Sequence, residues 1–572
     1  MILGINDMVD PSISLVENGK LIFYVEEERL NRIKHSHNLF PIKSLEYALD
    51  KFKLSIDDLQ YISYNWDFNK YSGGFMKKFF RKINNKYKYD ETSKNWQIQR
   101  LKNRNLKNFK KKIENNLRNK FSFKKLPEIK FFSHHYVHAF QSYYHSGFNN
   151  AICITIDGSG EENSTVIWKC LNGKISKLKE INIPHSLGWY YAAFTEYLGF
   201  KAYDGEYKLM GLASYGNRNN FFKKKIDQIL SINNKTKYYE LSPNFIHIGK
   251  HTYSGRFTDK LAKIFGREPR KSSDKIKKWH MDLAYEVQNK LEEVILGIYN
   301  KYSFLTGIKN LVIGGGVGLN VKMNSKLYSQ GICEKIFPNP LCADNGASAG
   351  SALLADLKFN NNKPKVLSTL AVGPEYSDKE IIKILTQNKI KFRYFTNIYK
   401  YTAENISKGK VIAWFQGKME AGARALGQRS ILGDPRDKNM ANKINKIIKY
   451  RELWRPFCPS ILKEHIKYYF DNSYDSKFMT ISFKANSKLK RIAPSIVHVD
   501  NTCRLQSVSK IHNAKFYRLI NEFYKITNVP ILLNTSFNIK GEPIVCSPSD
   551  AIRTFYATGI DELIINNFVI KK

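Results

Sequence analysis

Acidic residues and cysteine are what this 572-residue sequence has little of. Its seven cysteines, at 153, 170, 333, 342, 458, 503 and 546, form no CxxC pair and lie mostly inside apolar strings. That excludes a disulfide scaffold and a zinc knuckle, and fits reduced, buried thiols in a cytosol. No apolar run approaches the ~20 residues that cross a bilayer. The opening MILGINDMVD reaches an acid within seven residues, so no signal peptide is expected and the location expected is cytoplasmic. Glycine-rich turns occur, yet none reads GK[ST] and none spells GxGxxG, which removes the P-loop and the dinucleotide fingerprint. The length exceeds what one core serves, so two domains are expected.

Acids number 51 against 92 Lys and Arg, a net charge of +41, and the imbalance is local. From Lys70 to Lys125 there are 19 Lys and Arg against three acids, Asp90, Glu91 and Glu114, with aromatic residues between them. Such a stretch can hold phosphates, anionic lipid or an acidic glycan. Lysine and asparagine are abundant throughout the chain, so composition is the preferred explanation. The segment has no RNP, KH or zinc-finger signature, which disfavours nucleic acid as a partner.

The pattern of apolar residues indicates an α/β fold. MILGIN, SISLV and LIFYVEEE read as strands, with a turn at NGK before the third. Residues 45–62 read as helical and then extended, and the basic segment 70–125 as a helical insert. A second meander begins at 151 with AICITID, STVIWKC, another NGK turn and ISKLKEI. Two similar meanders, each opening on a strand that ends in an acid and small residues, make an architectural repeat. A long helix, DLAYEVQNKLEEVILGIYNKY, precedes the buried strand NLVIGG. The expected arrangement is two related halves with ligand at the strand ends. Composition shifts near 360–375, which divides the chain into domains 1–370 and 371–572.

Four residues are candidates for one metal. His134 and His138 stand at i and i+4, so on a helix both imidazoles leave one face. Asp157 ends the strand AICITID, and Asp344 opens the small-residue turn DNGASAG. Two nitrogens and two oxygens suit Fe²⁺, Zn²⁺ or Mn²⁺ better than Mg²⁺ or Ca²⁺. Glycine-rich turns stand beside both aspartates, in DGSGEE (157–162) and DNGASAG (344–350), and a third is IGGGVGLN (313–320). Glycines let backbone amides approach a phosphate, and a following helix N-terminus adds favourable field.

These blocks resemble the NodU/CmcH-type O-carbamoyltransferases, which modify nodulation signals, antibiotics and other hydroxylated molecules. The resemblance runs through LGIN…VEEERLNRIKH (3–35), HHYVHAF, TIDGSGE, GEYKLMGLASYG (205–216), VIGGGVGLN and NPLCADNGASAG. It continues through WFQGKMEAGARALGQRSILGDPRD (414–437), KYRELWRPFCPS (449–460), HVDNTCRLQSV (498–508) and LLNTSFNIKGEPIV (532–545). It implies an actin/Hsp70-like ATPase fold, a duplicated RNase H-like architecture, for the first domain. The second is implied to resemble threonylcarbamoyl-AMP synthase.

The chemistry implied is a two-site transfer. Carbamoyl phosphate is broken down in the second domain, carbamate is activated by ATP as carbamoyl-adenylate, and an acceptor hydroxyl attacks in the first domain. The resemblance assigns His134, His138, Asp157 and Asp344 to a divalent metal, Fe²⁺ first, with Zn²⁺ or Mn²⁺ as alternatives. Nucleotide contacts fall to Gly158, Gly160, Lys208, Gly314, Gly315, Gly316 and Asn320. Carbamoyl phosphate falls to Arg424, Lys449, Arg455, Arg504, Asn534 and Ser536, where arginine forks and a lysine charge suit a phosphate. The acceptor is expected to be a sugar, glycan or secondary metabolite, and a homodimer is admitted.

One position departs from the family. A His usually precedes the Asp of the first loop, and here it is Val9, in NDMVDPS. The remaining candidates for the acceptor base are Asp10, Lys34 and His35, with Asp7 nearby. Two other readings stay open. One is a nucleic-acid carbamoylating enzyme, from the likeness to tRNA-modification proteins and the basic insert. The other is a non-catalytic ATP-dependent scaffold, suggested by Val9 alone.

Overall fold

The computed structural model describes residues 1–247, 254–330 and 332–572. Two sheets of the N-terminal part have the same strand order. The first runs β3 (Lys20–Glu26), β2 (Ser12–Glu17), β1 (Ile2–Asn6), β4 (Tyr61–Tyr64) and β5 (Glu128–Phe131). The second runs β8 (Lys174–Asn182), β7 (Asn163–Leu171), β6 (Asn150–Ile156), β11 (Asn310–Gly314) and β12 (Lys335–Pro338). In each, three sequential strands lie side by side and two later strands add in parallel to the first. This is the duplicated α/β architecture expected from the two meanders. The repeat extends to the turns. Asn18 and Gly19, and Asn172 and Gly173, all have positive φ, the geometry of a two-residue hairpin turn that Asn-Gly adopts at little cost. A short ribbon, β9 (Leu230–Ile232) and β10 (Tyr239–Leu241), lies between β8 and β11 in the chain.

Among the strands, β1 is wholly buried, and β11 has no exposed residue. The long helix spans Lys278–Thr306 and stops at Gly307, whose positive φ ends the helix without a Cβ clash. The expected strand LIFYVEEE is shorter than its sequence suggests. It ends at Glu26, and Glu27–Asn31 is helical, with Glu27 accepting from the backbone amides of Lys43 and Ser44.

The basic segment is helical, as four helices: Phe68–Ser72, Phe75–Lys86, Glu91–Asn103 and Leu106–Arg118. Met76, Phe80 and Ile83 are buried on one, and Phe109, Ile113 and Leu117 on another. Their three- and four-residue spacing is an amphipathic stripe.

The C-terminal sheet has eight strands in the order β13 (Phe392–Tyr394), β22 (Phe568–Lys571), β21 (Glu562–Ile565), β14 (Ile412–Phe415), β15 (Arg429–Gly433), β20 (Ile531–Ser536), β16 (Cys458–Leu462) and β19 (Gln506–Val508). A two-stranded sheet, β17 (Ser482–Lys484) and β18 (Thr502–Arg504), accompanies it. The chain forms two compact units. One comprises Met1–Ile5, Val16–Lys20 and Lys53–Val366; the other comprises Asn6–Leu15, Leu21–Phe52 and Leu367–Lys572. Within the second unit, Glu26 accepts from the Gly422 amide, and Arg32 donates to the carbonyls of Pro543 and Ile544. Asp10, Lys34 and His35 thus belong to the second unit. All seven cysteines are free and buried.

Candidate functional sites

In the first unit the helix His134–Ser146 presents two buried imidazoles one turn apart. Nε2 of His134 and Nε2 of His138 are 3.2 Å apart. Asp157, just past β6, places Oδ2 at 3.6 Å from His134 and 3.5 Å from His138. Asp344 places Oδ1 at 3.6 Å from each. All four donor atoms lie within 4.8 Å of one another. Ligands held tetrahedrally at about 2.1 Å from one ion stand about 3.4 Å apart, so these spacings fit a divalent metal with N and O ligands. Asp344 Oδ1 is buried and has no hydrogen-bond partner, which in a closed site calls for a cation. Burial alone would raise the Asp157 carboxyl, but the hydrogen bond from His134 and the His138 and His134 charges hold it well below the usual carboxylate range. Burial would lower His134, yet Asp344 and Asp157 keep it above its ordinary value. His135, by contrast, is desolvated and pushed down to about 3. It spends its ring on Thr155 and the Asn163 carbonyl.

The glycine turns meet at Asp157. Its carboxylate accepts from the amides of Gly158 at 2.9 Å and Gly316 at 3.1 Å. Gly315 has φ +82°, and a Cβ there would lie 2.2 Å from the Ile156 carbonyl oxygen, so only glycine fits. Gly160 packs on His135, where a Cβ would come within 2.7 Å of the ring. Gly314 lies against the helix carrying His138. Asn320 and Lys208 are engaged differently. Asn320 caps the next helix through the Met323 amide and pairs with Gln288. Lys208 is half-buried with its ammonium 5.6 Å from the Phe200 ring.

Reading the sequence missed three residues here. Glu161 accepts from the backbone amides of His134 and Asp67, fixing the start of the ligand helix. Trp66 stacks on His134 with centroids 4.7 Å apart. Arg100, inside the basic insert, is buried and turned inward. It donates to Ser159 Oγ, to the carbonyls of Gly160 and Glu161, and to the Tyr71 hydroxyl. It also lies over Trp66 and Trp96. The signal was submerged because one inward arginine among 19 cations has no distinctive spacing. Arg100→Ala is expected to cost about 3 kcal/mol, since hydrogen bonds from a charged donor are worth roughly 1.5–3 kcal/mol each. It should also loosen metal retention, and Arg100→Lys should not restore it, because an ammonium lacks the planar fork. Thermal melts and metal analysis of both variants check this.

A second cluster lies in the C-terminal sheet. Lys449 Nζ donates to the Ser536 carbonyl and hydroxyl and to Asn538 Oδ1 at 2.7 Å. Asn534, two residues before Ser536 on β20, donates to the Ala425 carbonyl, Ser460 Oγ and Gln506 Oε1, and its own oxygen is buried without a partner. Arg504 Nε contacts Cys458 Sγ at 3.1 Å, and Cys458 is the cross-strand partner of Asn534. Arg455 has Glu452 at 3.8 Å, and Arg424 is half-buried next to Ala425. Lys449 and Ser536 are thus in direct contact, Asn534 and Arg504 meet through neighbouring strands, and Arg424 adjoins Ala425, whose carbonyl accepts from Asn534. Burial pushes the Lys449 ammonium well down, and Arg451 and Arg455 add to the effect. A desolvated amine near guanidinium groups suits an oxyanion, whose charge would raise the amine back toward its ordinary range. Inorganic phosphate binding at mildly alkaline pH is accordingly expected to take up protons. Calorimetry in two buffers of different ionisation enthalpy checks it, and equal heats would contradict it.

The third group concerns the first loop. His35 Nδ1 lies 2.6 Å from Asp10 Oδ1, across 25 residues of sequence. Both residues have positive φ, 66° and 53°. Such backbone costs about 1–3 kcal/mol per residue in a non-glycine and clusters at functional sites. The Glu28 carboxylate accepts from the His35 amide at 2.7 Å, and Asn6 donates to the carbonyls of Val9 and Asp10. Lys34 is half-buried beside this pair.

Comparison with known proteins gives these groups a context. The family model for the carbamoyltransferase N-terminus matches residues 1–353, and that for the carbamoyltransferase C-terminus matches 403–572. An uncharacterised protein of Synechocystis is 33% identical over 100% of this chain and 96% of its own. Nodulation protein NolNO of Sinorhizobium fredii is 33% identical over 99% of this chain and 79% of its own. Among solved structures, component A of the Acidaminococcus fermentans (R)-2-hydroxyglutaryl-CoA dehydratase aligns with a TM-score of 0.32 at 14% identity, covering 62% of this chain and 96% of that one. HypF in its phosphate- and nucleotide-bound form aligns with a TM-score of 0.30 at 14% identity, covering 62% and 55%. By both family models and by relatives matched along nearly its whole length, this chain belongs to the carbamoyltransferase family and is a carbamoyltransferase enzyme.

Proposed function

We propose that the enzyme moves a carbamoyl group from carbamoyl phosphate to a hydroxyl of a sugar, glycan or secondary metabolite, through ATP-derived carbamoyl-adenylate. Water releases phosphate from carbamoyl phosphate and leaves carbamate. The carbamate oxygen attacks the α-phosphorus of ATP and expels pyrophosphate. The acceptor hydroxyl then attacks the carbamoyl carbon and expels AMP, giving up its proton to a base. Domain 371–572 takes the carbamoyl-phosphate step, with Arg424, Lys449, Arg455 and Arg504 on the phosphate, and Asn534 and Ser536 on the carbamoyl end. Domain 1–370 takes the nucleotide on Gly158, Gly160, Gly314, Gly315 and Gly316, with Lys208 and Asn320 as flanking contacts. His134, His138, Asp157 and Asp344 hold a divalent metal, Fe²⁺ in first place, which when bound supplies positive charge against phosphate oxygens.

The observation that carries this reading is the cluster of buried Lys449, bonded to Ser536 and Asn538, with the partnerless buried oxygen of Asn534 on the same strand as Ser536. The test is incubation with carbamoyl phosphate, ATP and metal. Pyrophosphate release that requires carbamoyl phosphate supports the proposal, and release without it contradicts the proposal. Turnover stimulated by RNA would point to a nucleic-acid acceptor instead.

A further inference from the structure

We propose that the outward face of the helical insert docks on an anionic membrane surface. The local charge density is several times that of the rest of the chain, so the general abundance of lysine, the explanation preferred from sequence, does not account for it. Residues 70–125 carry +16, leaving +25 for the other 516 residues. The packing turns this charge outward. Met76, Phe80 and Ile83 face the core, while Lys77, Lys78, Arg81 and Lys82 on the opposite side of the same helix are exposed. None of these four cations is in an ion pair among the described residues. The helix Leu106–Arg118 repeats the arrangement, with Phe109, Ile113 and Leu117 inward and exposed lysines outward.

Two features favour lipid headgroups over nucleic acid. Large apolar side chains stand exposed within the basic segment, Phe75 at 47% and Ile98 at 58%. Aromatic and aliphatic groups flanked by lysines are what an interfacial helix inserts below the headgroups. The cations presented are also mostly lysines. Of the segment's four arginines, Arg100 and Arg104 are turned toward Trp66, with Arg104 3.8 Å from its ring. Lysine point charges suit a diffuse anionic surface, whereas base-edge readout favours the arginine fork. No helix among the described residues is long and apolar enough to cross a membrane, so the attachment is peripheral.

The experiment is co-sedimentation of the full-length protein with vesicles of phosphatidylcholine alone and of phosphatidylcholine with one third phosphatidylglycerol. Binding is expected to the anionic vesicles only and to fall as salt rises. A variant with Lys77, Lys78, Arg81 and Lys82 all changed to Gln should bind at least about tenfold more weakly, each such cation near the surface contributing on the order of 1 kcal/mol. Phe75→Ser should weaken binding as well. All five positions are exposed, so melting temperature and pyrophosphate release should be unchanged. Equal sedimentation with both vesicle types, or undiminished binding by the quadruple variant, overturns the proposal. So does capture of RNA or heparin without vesicle binding.

Discussion

Replacing His138 by alanine is expected to remove most of the bound divalent metal and abolish pyrophosphate release, with the fold retained. The reason is geometric. Nε2 of His138 is within 3.2–3.6 Å of the three other donor atoms, so its loss opens one corner of the coordination shell. Loss of a mere outer-shell partner costs roughly 10–100-fold in metal affinity, and loss of a direct ligand should exceed that. Removing the side chain also leaves the buried Asp344 Oδ1 with one neighbouring nitrogen fewer, while the residual pocket still carries two carboxylates. Their repulsion, no longer offset, should favour local opening of the DNGASAG turn. Metal analysis after dialysis is the measurement. Full occupancy in the variant would remove His138 from the ligand set, while a lost melting transition would show that the histidine serves the fold instead.

His35→Ala should slow acceptor carbamoylation by about 10²–10⁴, the range expected of a well-placed general base, and leave carbamoyl-phosphate-dependent pyrophosphate release intact. Val9 stands where the resemblance to the family implies a His, and its side chain cannot titrate. His35, 25 residues beyond Asp10 in the chain, places its Nδ1 2.6 Å from the Asp10 carboxylate. A carboxylate in that place orients the ring, selects its tautomer and stabilises the imidazolium formed on proton abstraction. Asp10→Asn should therefore impair the same step, because the amide cannot stabilise the charged ring. Val9→His, which would restore the usual residue, should add little while His35 remains and should recover activity in the His35→Ala background. Single-turnover assays that follow pyrophosphate and carbamoylated acceptor separately make the distinction. Transfer at the wild-type rate in both single variants would place the base elsewhere, with Lys34 the next residue to change.

Much was legible from sequence because it depends on local spacing. The i, i+4 histidines could share a helix face whatever the surroundings, and they do. The two NGK turns announced hairpins, since Asn-Gly enters left-handed backbone cheaply, and each joins the second and third strands of equivalent sheets. Alternating meanders and a long amphipathic helix implied the duplicated α/β core. What the sequence could not convey was which distant groups would meet. The Asp10–His35 contact depends on two positive-φ residues held by Asn6 and Glu28, and no periodicity encodes that. The inward turn of Arg100 depends on Trp66, Trp96 and the carbonyls of the 158–162 loop closing around it. The depressed Lys449 arises from burial and from Arg451 and Arg455, a property of the packed sheet and not of the KYRELWRPF string. Local geometry is set by neighbours in the chain, so sequence determined the elements and the family motifs. Electrostatic character and long-range pairing are set by which side chains lose water together, and only the tertiary structure decided those.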